Sequence, residues 1–118
     1  NLELSAISAS NAKVLGAENI MCLAEDGIEV LKNSSSFDTI YIDPARRNGS
    51  GKVFKLKECT PDVTLHLPLF LQKAKRLVIK TAPLLDISAG LAELQNVSEI
   101  HIVSVKNECK ELLWIIDL

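Results

Sequence analysis

Three places in the sequence put reactive or ligand-holding side chains where an α/β chain can use them. Asp43-Pro44-Ala45-Arg46-Arg47 follows the apolar, β-branched run Phe37-Asp38-Thr39-Ile40-Tyr41-Ile42, so a carboxylate and a stiff proline stand at the end of a predicted strand. Proline lacks an N–H and has a fixed φ. Lys80-Thr81-Ala82-Pro83 follows the apolar run Leu77-Val78-Ile79 in the same way, and Asp26-Gly27 follows Asn19-Ile20-Met21-Cys22-Leu23-Ala24. A carboxylate at such a point accepts hydrogen bonds from amino groups. In open α/β sheets, ligands bind beyond the carboxyl ends of the strands. Each place also has a plain structural use: Asp-Pro ends strands and opens turns, and Asp26 can cap the short helix that follows it.

A fourth feature is a run of charge. Arg46, Arg47, Lys52, Lys55 and Lys57 bring five cations into one segment, with Glu58 beside them. Such a segment can hold the phosphates of a nucleic acid, or it can be a solvated loop. Gly49-Ser50-Gly51 lies inside it but does not open a helix after a strand, so it is not a phosphate-binding fingerprint.

The elements that must position these residues alternate. Leu4, Ile7, Val14 and Leu15 predict a helix over 2–15, stopped by Gly16 in a left-handed conformation. Residues 19–24 predict a strand and 28–32 a short helix closed by Asn33-Ser34-Ser35-Ser36. After the strand at 37–42, residues 45–60 predict a long loop. Thr60-Pro61-Asp62 predicts a helix start with Thr60 as N-cap and Pro61 in the first turn, and Pro68 interrupts or restarts that helix. A strand at 77–79, a helix over 86–94 and strands at 100–105 and 112–116 complete the order. Only six residues separate the last two strands, too few for a crossover helix, so they form an antiparallel hairpin. Alternation otherwise implies a mostly parallel sheet with helices on both faces.

Composition bounds the rest. A chain of 118 residues, 47% hydrophobic, suffices for one small domain. A net charge of −2 excludes a globally basic nucleic-acid coat but not a local basic patch. Cys22, Cys59 and Cys109 are scattered and odd in number, against a disulfide framework and in favour of a reducing cytosol, hence a cytoplasmic protein. Cys22 reads as a small core residue, and Trp114 as core. His66 and His101 lack a partner motif, so no metal site is expected. No apolar stretch is long enough for a bilayer.

Taken together, these phrases resemble the class I, Rossmann-like S-adenosylmethionine-dependent methyltransferases from their second helix onward. The resemblance covers almost the whole chain. It rests on Asn11-Ala12-Lys13-Val14-Leu15-Gly16-Ala17-Glu18-Asn19-Ile20, on Asp26-Gly27, on the strand ending in Asp43-Pro44-Ala45-Arg46, and on the closing hairpin. It is nearest to bacterial methyltransferases with a THUMP-like domain, in which Asp-Pro-Ala-Arg-Arg and Lys-x-x-Pro-x-Leu-Asp phrases recur; here the second is Lys80-Thr81-Ala82-Pro83-Leu84-Leu85-Asp86.

The resemblance implies a truncated Rossmann-like α/β domain over 1–118, without the family's first two strands and its glycine-rich cofactor loop. It implies S-adenosylmethionine as the cofactor, held in part by Asp26, Gly27 and Asp43. Asp43 and Pro44 would be the catalytic pair, facing methyl donor and acceptor, with Arg46, Arg47, Lys52 and Lys80 on the substrate. Two departures narrow the chemistry. Ala45-Arg46 stands where amine-methylating enzymes carry an aromatic residue, and no cysteine stands at 80–83, as covalent C5 methylation would need. N- or O-methylation of RNA is the expected activity of an intact parent protein. The alternative is a non-catalytic module that binds RNA or a protein through the basic segment. The chain begins without methionine, inside a predicted helix, as a piece of a longer protein would. The piece alone is expected to be inactive and to bind the cofactor weakly or not at all. The edge of the strand at 37–42 is expected either to pair with the strand at 20–24 or to self-associate.

Overall fold

The computed structural model describes residues 1–46 and 55–118. It divides into two compact units, 1–35 and 36–118.

The first unit contains two helices. Helix α1, Leu2–Val14, is capped by the Asn1 side chain, which accepts from the Glu3 and Leu4 amides. It ends as the sequence suggests, at Leu15 with Gly16 at φ +70°. None of its residues is buried, and Leu2, Leu4, Ile7 and Val14 are exposed. Helix α2 spans Gly27–Asn33. Residues 19–24, expected as a strand, form none. A strand exists only through ladder hydrogen bonds to a neighbour, and among the described residues this run has no such partner: Ile20, Met21 and Leu23 are exposed and Cys22 is half-buried rather than in a core.

The second unit is built on a four-stranded sheet. Its strands are β1 (Phe37–Ile42), β4 (Ala74–Thr81), β5 (Glu99–Val105) and β6 (Glu108–Asp117), in the order β1-β4-β6-β5. Short β2 (Ala45–Arg46) and β3 (Cys59–Thr60) pair with each other, and helices α3 (Val63–Lys73) and α4 (Ile87–Glu93) complete the unit. The sheet is mixed, not mostly parallel. β1 and β4 run parallel, with Ile40 opposite Leu77 and Ile42 opposite Ile79, while β6 is antiparallel to both β4 and β5. The strand that would have added to the parallel part is the one that does not form.

Strand side chains alternate between faces, and the register sorts them here. Ile42, Leu77, Ile79, Thr81, Leu112, Trp114 and Ile116 share one face, and all are buried. Trp114, fully buried as expected, donates from its indole nitrogen to Thr81 Oγ1 at 2.9 Å. Helix α4 lies on this face, with Gly90 against the indole so closely that a Cβ there would overlap the ring. Tyr41, Val78, Lys80, Leu113 and Ile115 occupy the other face and are half-buried or exposed.

Helix α3 starts later than expected. Asp62, not Thr60, is the N-cap; its carboxylate accepts from the amides of Thr64 and Leu65. Thr60 belongs to β3 instead, and the Thr60–Pro61 peptide is cis. Pro68 sits within α3 without ending it. At the other end of the unit, the link between β5 and β6 is shorter than expected. Lys106 and Asn107 both adopt positive φ (51° and 63°), as a two-residue hairpin turn requires, and β6 begins at Glu108.

Candidate functional site

The carboxyl ends of parallel strands β1 and β4 meet in a cavity of about 220 Å³. Asp43 and Pro44 line it from the end of β1, and Lys80, Thr81, Ala82 and Pro83 from the end of β4. Leu56, Cys59 and Leu85 add apolar wall, and Lys110 and Glu111 enter from β6. Two of the sequence motifs, Asp-Pro at 43–44 and Lys-x-x-Pro at 80–83, therefore share one site.

The register explains why Asp43 and Lys80 meet. Ile42 pairs with Ile79 on the covered face, so the next residue of each chain turns to the opposite face. The Lys80 ammonium lies 2.7 Å from Asp43 Oδ2 and 3.6 Å from Glu111 Oε1. Lys80 is the least exposed member of the group, at 26% against 52% for Asp43 and 41% for Glu111. The hydrogen bond to Asp43 holds the ammonium above the ordinary lysine value of 10.5; burial opposes this, and the charges of Asp43, Glu111 and Tyr41 add to it. Lys80, expected on the substrate, is thus first of all the partner of Asp43.

Glu111 carried no signal in the sequence, because the polar run 106–111 reads as a loop; in β6 it continues the face of Ile115 and Leu113, which is the face of Lys80. Val103 pairs with Glu111 but the next residue, Ser104, pairs with Cys109, which leaves Lys110 as the extra residue on β6. Bulges re-aim side chains. On a regular strand, neighbours point to opposite faces, whereas here Lys110 and Glu111 both line the cavity.

The floor of the site is tied down from α4. Glu93 Oε2 accepts the Leu56 amide hydrogen at 3.0 Å, and Leu56 is fully buried. Ala45 pairs with Thr60 and Arg46 with Cys59, so the basic segment, expected as one long loop, leaves and returns beside the cavity through a short antiparallel ladder. Lys55 and Lys57 are exposed. The expected substrate residues Arg47 and Lys52 lie outside the described residues, and of Arg46 the backbone in β2 is described.

Asp26 lies in the first unit as the N-cap of α2, its Oδ1 accepting from the amides of Ile28 and Glu29 at 2.9 and 3.2 Å; Gly27 is the first helical residue. The local structure thus shows the capping use of this carboxylate. His101 bonds Glu99 at 2.8 Å, and the His66 ring stands 6.2 Å from that of Phe70. Among the described residues, no helix is long and apolar enough to cross a membrane.

No protein-family model matches the chain, and no curated protein matches it. Among solved structures it is similar to the crystal structure of a proposed methyltransferase from Porphyromonas gingivalis W83, with 34% sequence identity and a TM-score of 0.61. The likeness covers 69% of this chain and 19% of that one, so the chain spans about one-fifth of that protein's length. The likeness is one of both sequence and fold, and it accompanies strand-end motifs gathered around one cavity.

Proposed function

We propose that this chain forms the acceptor-facing half of an S-adenosylmethionine-dependent methyltransferase site within a longer cytoplasmic protein, acting on a nitrogen or oxygen of RNA. The observation that carries the reading is the joining of Asp43-Pro44 and Lys80 in one cavity at the ends of two parallel strands, in a chain 34% identical to a proposed methyltransferase.

Asp43 is the residue suited to the acceptor. Its carboxylate can accept an N–H or O–H from the nucleophile and orient the lone pair toward the methyl group. Positioning of this kind is most of what an in-line displacement requires. Pro44 is buried and stiffens the turn that presents Asp43. When bound, S-adenosylmethionine supplies an activated methyl group. The cavity offers the Asp43 carboxylate as an acceptor for a cofactor amino group, and apolar wall at Pro44, Leu56 and Leu85. The donor set fits part of such a group, which the resembled family also holds through a glycine-rich loop and a ribose-binding acid. RNA as the acceptor is supported by the cations of the segment at 46–57, whose ends are anchored beside the cavity.

The test is transfer of radiolabelled methyl from S-adenosylmethionine to bulk tRNA and rRNA by the longer protein. Label in RNA that survives protease treatment is expected. Label in neither RNA pool defeats the assignment of RNA as the substrate.

A further inference from the structure

We propose that Glu111 is a positioning residue which takes over the Lys80 ammonium when Asp43 engages the acceptor, so that Lys80 moves between two carboxylates within one cavity. The inference rests on the reading of Asp43 as the acceptor-facing group and extends it to how that carboxylate is released.

The Asp43–Lys80 pair poses a problem for the proposed chemistry. An acceptor N–H or O–H that approaches Asp43 competes with an ammonium already at 2.7 Å from Oδ2. The displaced ammonium needs another anion, because Lys80 is three-quarters removed from water and an uncompensated charge there is unfavourable. Glu111 Oε1 stands at 3.6 Å, too long for a hydrogen bond but within reach of a small movement of a flexible lysine head. Two carboxylates around one lysine give two comparable positions for the same charge.

The strand geometry shows that Glu111 is placed for this. Glu111 lies two residues from Leu113, the register partner of Lys80, so regular alternation puts it on the Lys80 face. Lys110 does not compete for Glu111: its ammonium pairs with Glu108 at 2.5 Å. The groups that bear on Lys80 are therefore Asp43 from the end of β1, Tyr41 within β1, and Glu111 from β6. When Asp43 turns to the acceptor, Glu111 is the remaining carboxylate of this set.

The test is the ionisation of Lys80 in the full 118-residue chain, followed through the 13Cε signal of labelled lysine. It is compared in the wild type, Asp43→Asn, Glu111→Gln and the double variant, with the backbone amide spectrum reporting the fold. If Glu111 catches the ammonium, its effect on Lys80 grows once Asp43 is neutral. Adding Glu111→Gln to Asp43→Asn should then lower the midpoint by about half a pH unit, and Glu111→Gln alone by clearly less. Asp43→Ser serves as a second background with the same expectation. An effect of Glu111→Gln that is nil, or equal in both backgrounds, overturns the proposal. The readout does not involve methyl transfer. Absent transfer activity with this coupling intact defeats the proposed reaction, whereas a missing coupling with activity intact defeats the relay.

Discussion

The two units of this chain use apolar residues in opposite ways. In the segment 1–35, α1 buries none of its residues, and Leu31 of α2 is the buried apolar side chain. In 36–118, a sheet face with Leu77, Ile79, Trp114 and Ile116 is sealed from water, and the candidate cavity opens at the end of the same strands. Apolar content alone therefore does not make a core. The segment 19–24 is as apolar as β1, yet without a ladder partner it takes no regular form. The contrast also locates the chemistry, since Asp43 and Lys80 are held by strands whose register the core fixes.

The contrast can be tested by substitutions of decreasing expected effect. Trp114→Ala should cost about 3–5 kcal/mol, because it empties the centre of the core and strips the buried Thr81 hydroxyl of its indole donor. Urea unfolding followed by circular dichroism reads it; a loss below about 1 kcal/mol would deny Trp114 its central place. Gly90→Ala drives a methyl into the indole and should cost about 1–3 kcal/mol in the same measurement, although alanine is the better helix former.

Acid should act on the sheet unit through its exposed cross-strand ion pairs. Lys75 at 2.7 Å holds Asp38, and Arg76 at 2.6 Å holds Asp117, below the ordinary carboxyl value of 3.8. A carboxyl whose folded value is depressed contributes stability above its unfolded value, and that contribution is lost as pH falls through the folded one. Stability should therefore decline below about pH 4, and Asp117→Asn should flatten that decline while changing the neutral midpoint little. An unchanged acid limb in Asp117→Asn would remove this pair from the account of acid unfolding. At the small end, Ile7→Ala in α1 should alter global stability by no more than about 0.5 kcal/mol. A loss of several times that size would mean α1 is part of the cooperative core.

How far the sequence could be read follows the same division. The ends of β1 and the identity of α4 were legible because period, composition and punctuation agreed there: a β-branched run stopped by Asp-Pro, and an apolar stripe opened by Asp86. The run 19–24 has strand composition but forms no strand, because strand formation depends on a partner that composition does not report. The polar half of β6, Glu108–Glu111, reads as loop until the positive-φ turn at Lys106-Asn107 fixes its pairing with β5. In the site, Asp43, Pro44 and Lys80 stood out at strand ends. Their pairing required the parallel register of β1 and β4, and the place of Glu111 required the antiparallel register of β4 and β6. No register is written in local residue types.

The most direct measurement is methyl transfer by the longer protein with Asp43 replaced by Asn, under conditions where the wild type labels RNA. If Asp43 orients the acceptor, kcat/KM should fall by about 10²-fold or more with RNA binding retained. Transfer at the wild-type rate would contradict the assignment of this strand end as the reacting site.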